Sequence, residues 1–233
     1  GSKFIKNWNL LRSPYFSFIG NLGNSCGSLF TSMTPECWPN ANLNFEEINP
    51  YYKKITLIGM MGTGKSKFGR KIANILKYNF YDIDHMIEKE FKITIKQLFQ
   101  KHGEVFFRKI EKKTIRDLIL KINKNREKVI ISLGGGGFDN KEIRDLLLSN
   151  TNVIWLNTPV DVLVQRVGDG SQRPMIKGKT RDSILQLLKI RTKYYSLCHN
   201  QINTDKLDQN QIIEKLIYLI SHQNDITKKW TQT

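Results

Sequence analysis

The chain lacks the features that would tie it to a membrane, a disulfide framework or a paired-cysteine zinc site. No run approaches the roughly eighteen uncharged apolar positions that a spanning helix requires. Its three cysteines, Cys26, Cys37 and Cys198, stand far apart without C-x-x-C spacing, which argues against zinc modules and fits a reducing compartment. No internal repeat is visible. Acidic residues are scarce, 21 against 37 basic ones, for a formal net charge of +16.

Clustered basic charge is the footprint of phosphate-backbone binding. Here residues 1–50 are balanced, with Lys3, Lys6 and Arg12 against Glu36, Glu46 and Glu47, so the excess lies in residues 51–233. It is spread along helix faces beside Asn and Ile, which reads as solvated surface and not as a binding stripe. Neither nucleic acid nor a membrane is expected as a partner. The positive field still favours approach of an anionic nucleotide and an acidic substrate.

Residues 1–50 sustain neither the helical nor the strand period and read as an irregular extension. Gly1-Ser2 has the look of a cloning remnant, and the stretch before Glu36 has basic but no acidic residues, compatible with a transit peptide remnant or a linker. Plastid and cytoplasm both stay open as locations. From 51 to 222 strand-like and helix-like segments alternate, the pattern of an α/β domain with a five-stranded parallel sheet covered by helices on both faces. Strands are predicted at 54–59, 79–83, 128–133, 152–157 and 200–203. Helices are predicted near 65–76, 84–90, 94–101, 104–123, 140–149, 159–167, 181–198 and 209–221, and a polar tail at 223–233.

The stretch Gly59-Met-Met-Gly62-Thr63-Gly64-Lys65-Ser66 reads G-x-x-x-x-G-K-S between a predicted strand and helix. Glycines let successive backbone N–H groups turn inward on phosphate oxygens, and the helix dipole points its positive end at the same place. Lys65 then reaches the β- and γ-phosphates, and the Ser66 hydroxyl sits on Mg²⁺. Gly59, Gly62, Thr63, Gly64, Lys65, Ser66 and Lys67 are the nucleotide-binding candidates.

Asp82-Ile83-Asp84 closes the second predicted strand, and alternation places both carboxylates on one face. One acid can hold a metal's water shell and the other can take a proton from an acceptor hydroxyl. Asp84 can equally cap the next helix. The run Gly134-Gly135-Gly136-Gly137 follows a buried strand and offers backbone that a ligand can approach closely, beyond the carboxyl end of the sheet.

Two helices carry an arginine where the apolar stripe should continue. One stripe runs Glu104, Arg108, Glu111, Ile115, Ile119, Ile122, and the other Ile184, Leu187, Arg191, Tyr195, Cys198. Guanidinium suits bidentate capture of a carboxylate, so two such groups facing one pocket suggest a carboxylate-bearing substrate. Each alone could instead snorkel or pair with an acid such as Glu111. Arg166 to Arg173-Pro174 spans a glycine-containing loop suited to closing over a nucleotide, with Arg173 neutralising charge on the transferred group.

In order and spacing these residues resemble shikimate kinase, over roughly residues 53–220. The resemblance implies a P-loop kinase of the nucleoside monophosphate kinase-like fold with a mobile lid at about 168–180 and substrate-binding helices at about 84–123. It implies ATP-dependent phosphorylation of the 3-hydroxyl of shikimate, with ATP and Mg²⁺ as cofactors. By matching position, Asp84 binds the acceptor hydroxyls and acts as base, with Lys65 and Arg173 as the other catalytic groups, and Ser66 and Asp82 serve the metal. Arg108 and Arg191, with the backbone near Gly135 and Gly136, hold the substrate carboxylate, Gly134 also binds substrate, Glu111 holds Arg108, and Arg166 lies against adenine. Leu133 stands where the family usually has Thr, and Gln209 where proline is common. A monomer is expected, alone or within a larger multifunctional chain. A gluconate-type kinase and a non-catalytic binding protein of the same fold are the competing readings.

Overall fold

The computed structural model describes residues 53–167 and 180–221. The extension 1–50, the expected lid with Arg173, and the tail from 223 lie outside the described residues.

Five parallel strands form one sheet in the order β2-β3-β1-β4-β5: β1 Lys54–Ile58, β2 Asn79–Asp82, β3 Val129–Ser132, β4 Asn152–Asn157 and β5 Asn200–Asn203. Side chains alternate across each strand, and both faces are apolar, because helices cover both. Ile55, Leu57, Ile130, Ile154 and Leu156 join one core with Phe68 and Ile72 of α1 (Lys65–Leu76) and Ile212 and Leu216 of α7 (Gln209–Ser221). Val129, Ile131, Val153 and Trp155 point the other way. They meet α2 (Ile83–Phe91), α3 (Ile95–Lys124), α4 (Lys141–Asn150), α5 (Val160–Val167) and α6 (Thr180–Tyr195) in a second core.

The two helices expected at 94–101 and 104–123 are present as the two segments of α3, and two differences from expectation follow after it. It starts in a capping box, Thr94 with Gln97, and breaks at Gly103, whose φ of 78° and ψ of 173° are open essentially to glycine alone. The last predicted helix before β5 ends at Tyr195 and not at 198. Leu197 and Cys198 donate to carbonyls only three residues back, and His199 N–H already donates to Val153 O at 3.0 Å, so the chain has turned into the sheet. After the glycines, Gly137–Asp139 forms a 3-10 turn in place of open loop.

Candidate active site

The loop between β1 and α1 has the form its sequence predicts. Gly59, Gly62 and Gly64 all take positive φ, and Gly64 begins α1 in the left-handed region. No side chain caps α1 and its first turn holds no acidic residue, so its first N–H groups and dipole are left facing the loop. Lys65 is 8% exposed and donates from Nζ to the carbonyls of Gly59 and Met60, both at 2.9 Å, which stations its ammonium across the loop mouth. Thr63 is buried and donates to Met60 O at 2.9 Å. Ser66 and Lys67 occupy exposed positions of the first turn.

Beside this loop end β2 and β3. Ser66 Oγ lies 3.2 Å from Ser132 Oγ, and Ser132 is in register with Asp82 across β3 and β2. The hydroxyl that Leu133 lacks is therefore present one residue earlier, while Leu133 itself is buried in the core. Sequence reasoning passed over Ser132 because its own strand reads as uniformly buried.

The strand-alternation argument for Asp82 and Asp84 needs correction. The strand stops at Asp82, which caps α2 by accepting from His85 N–H at 3.2 Å, and Asp84 belongs to the first helical turn. The cap is thus Asp82 and not Asp84. Helical geometry turns Asp84 to the glycine run, where a Cβ built on Gly134 would lie 2.7 Å from Asp84 Oδ1 and 3.0 Å from Glu111 Oε1.

The two stripe arginines meet two residues further along. A Cβ on Gly136 would lie 2.4 Å from Arg108 Nη2 and 2.8 Å from Arg191 Nη2, so only glycine fits beneath the two guanidiniums. Arg108 reaches there from the segment of α3 beyond the kink. Its Nη1 donates to Glu111 Oε2 at 2.6 Å, and its Nε to Glu104 Oε1 at 3.3 Å. Arg191 comes from the middle of α6, is 2% exposed, and donates from Nε to Asp139 Oδ2 at 3.0 Å. Tyr195, one turn on, donates its hydroxyl to Gly135 O. A cavity of about 410 Å³ opens at this point, lined among others by Glu104, Arg108, Glu111, Gly136, Asp139 and Arg191.

Charge in this pocket is finely balanced. Burial raises the Glu111 carboxyl to about 7, against the pull of Arg108, and Asp84 and Asp139 push in the same direction as burial. Burial likewise raises Asp139, opposed chiefly by Arg191. Burial works against the charge of Arg108, yet Glu111 and Glu104 outweigh it and hold its pKa above the ordinary value. Glu111 Oε1 and Asp139 Oδ1 are buried without a hydrogen-bond partner among the described residues. Such an arrangement suits a ligand that brings both an anionic group and hydroxyls.

Arg166, near the end of α5, is exposed and donates from Nη1 to Gly62 O at 3.3 Å, which places it over the phosphate-binding loop. Asp139 is the second residue missed in the sequence. The helical period does not extend into a 3-10 turn, and the only available signal was an acid two positions after a glycine run.

Comparison with known proteins matches this arrangement to one family. The family that matches is Shikimate kinase, over residues 61–221. A shikimate kinase of Caldicellulosiruptor saccharolyticus is 39% identical over 166 residues, 71% of this chain and 94% of the relative. One of Sulfurihydrogenibium is 34% identical over 165 residues, 71% of this chain and 96% of the relative. Among solved structures, shikimate kinase from Acinetobacter baumannii in complex with shikimate superposes with a TM-score of 0.66 at 33% identity, covering 71% of this chain and 91% of that one. The enzyme from Aquifex aeolicus gives 0.62 at 32%, covering 73% and 97%. With the phosphate loop, the glycine run and the paired arginines in place, the chain belongs to the shikimate kinase family.

Proposed function

We propose that this chain transfers the γ-phosphoryl group of ATP to the 3-hydroxyl of shikimate, giving shikimate 3-phosphate and ADP. The observation that carries the reading is the spacing along the glycine run. Asp84 lies at Gly134, and the two guanidiniums lie at Gly136. A small ring held by its carboxylate between Arg108 and Arg191 therefore presents hydroxyls to Asp84, on the side where the phosphate loop ends β1.

In this reading Asp84 accepts the hydroxyl proton as the new O–P bond forms, and the bond from phosphorus to the ADP oxygen breaks. Lys65 and the open N-terminus of α1 stabilise the negative charge that spreads over the phosphoryl oxygens. Arg108 and Arg191 supply position, which converts a bimolecular encounter into an oriented one. Arg173 is retained as the proposed lid arginine.

The donors near the loop fit Mg²⁺: the hydroxyls of Ser66 and Ser132 and the carboxylate of Asp82 are hard oxygen groups. Ser66, Ser132 and Asp82 would hold Mg²⁺, which would supply positive charge against the phosphate oxygens.

Phosphorus NMR of the protein with ATP, Mg²⁺ and shikimate tests the assignment. A phosphomonoester resonance should grow with that of ADP, and chelation of the metal should stop both. ADP without a new phosphomonoester, or neither, overturns it.

A further inference from the structure

Each arginine of the clamp has its own acid, Glu111 buried and Asp139 half-buried, and only one of the two lies on an α-helix. Arg108 is held by Glu111 from one turn along α3. Arg191 is held by Asp139, which comes from a different element, the 3-10 turn after the glycines.

That turn is itself fixed. Asp139 N–H donates to Gly136 O at 3.2 Å, and the buried Arg144 of α4 donates from Nη1 to the carbonyls of Phe138 at 3.0 Å and Asp139 at 3.2 Å. The next residue, Asn140, caps α4 by accepting from Ile143 N–H at 3.1 Å. The Asp139 carboxylate is thus carried on backbone that is pinned on both sides.

It takes a particular edge of its partner. Asp139 Oδ2 engages Nε of Arg191, while Nη2 lies 2.8 Å from a Cβ on Gly136 and Nη1 lies 3.4 Å from a Cβ on Gly135. A guanidinium has two forked edges, Nε–Nη and Nη1–Nη2. With Nε held, Nη1 and Nη2 are turned over the glycines, where Arg108 Nη2 also arrives.

We infer that Asp139 is a positioning residue for substrate binding: by holding Nε of Arg191 it aims the Nη edge at the substrate carboxylate. The role deepens the proposed function and rests on it. A negative charge beside an anion site would by itself repel the substrate, so the two physical effects of Asp139 have opposite signs. Orientation wins in this geometry because Arg191 is 2% exposed and Asp139 is the acid that pairs with it, while its Nη1 meets the much weaker acceptor Met60 Sδ at 3.7 Å.

Steady-state kinetics and calorimetric binding of shikimate to the full chain test the role. Asp139→Ala should raise both KM and Kd for shikimate by about tenfold or more, the scale of one hydrogen bond to a charged group. Asp139→Asn, which keeps an acceptor oxygen without the charge, should fall between that variant and the original chain. kcat and the KM for ATP should stay within about twofold, as for lost ground-state binding. In an Arg191→Lys background, where Nε of arginine is gone, Asp139→Asn should have no further effect. Tighter or unchanged shikimate binding in Asp139→Asn overturns the role, as does an equal penalty in the Arg191→Lys background. Failure of the original chain to phosphorylate shikimate sinks the functional reading instead.

Discussion

At the scale of single residues, Glu111 decides how the pocket responds to pH. Its folded pKa, about 7 against an ordinary 4.5, means that the folded chain holds a proton the unfolded chain has lost across that window. The contribution of Glu111 to stability is therefore fully present below pH 4.5 and lost as pH rises through about 7. A bound carboxylate adds negative charge beside Arg108, Asp84, Asp139 and Glu111, which raises the pKa further, so binding takes up a proton. The KM for shikimate should rise with pH through about 7, and Glu111→Gln should flatten that rise. A profile unchanged in the variant removes Glu111 from the linkage. Asp84 makes a separate prediction: Asp84→Asn should lower kcat by roughly 10²–10⁴-fold without loss of folding, the range for removal of a general base. Unchanged turnover contradicts that role. Arg108, Glu111 and Arg191 were legible because each interrupts an apolar helical stripe. Asp139 and Ser132 were hidden because their importance comes from contacts between distant segments, which no single period records.

At the scale of elements, the kink in α3 links local backbone to the clamp. Gly103 separates a capped first segment from the one that carries Glu104, Arg108 and Glu111. A Cβ at Gly103 would meet nothing within 4 Å, so the cost of Gly103→Ala is conformational and not steric. Forcing alanine into that region costs about 1–3 kcal/mol, and straightening the helix instead would swing Arg108 away from Gly136. Gly103→Ala should lower the denaturation midpoint and raise the KM for shikimate while the KM for ATP holds. An unmoved shikimate KM shows that the kink does not aim Arg108. The break at Gly103 was readable as two helices, since the patterning changes at glycine, but the backbone angles that set their direction were not, because such angles leave no mark on hydrophobic spacing. The strand-alternation argument for Asp82 and Asp84 failed for a related reason. A strand period applied two residues too far gives the same residues a different geometry, and the cap at Asp82 decides where the period changes.

At the scale of the whole molecule, sheet order explains why one site gathers groups from so many segments. β1 lies at the centre with β3 and β2 on one side and β4 and β5 on the other. The carboxyl ends of β1, β2 and β3 deliver the phosphate loop, Asp82 with Asp84, and the glycine run to one edge, as open α/β sheets do for their ligands. This much was visible in the sequence because buried strands alternate with amphipathic helices and the glycine-rich turns follow strands. The pairing of α6 with the 3-10 turn was not visible, since it spans more than fifty residues with no shared pattern. One site thus joins a phosphate loop to a clamp for a carboxylate-bearing acceptor. ADP release measured with ATP and Mg²⁺ against shikimate, the carboxamide of shikimate, and gluconate addresses it most directly. Turnover is expected with shikimate, kcat/KM lower by about tenfold or more with the carboxamide for the loss of charge-assisted hydrogen bonds, and no release above background with gluconate. Equal turnover with the carboxamide or gluconate, or none with shikimate, contradicts it.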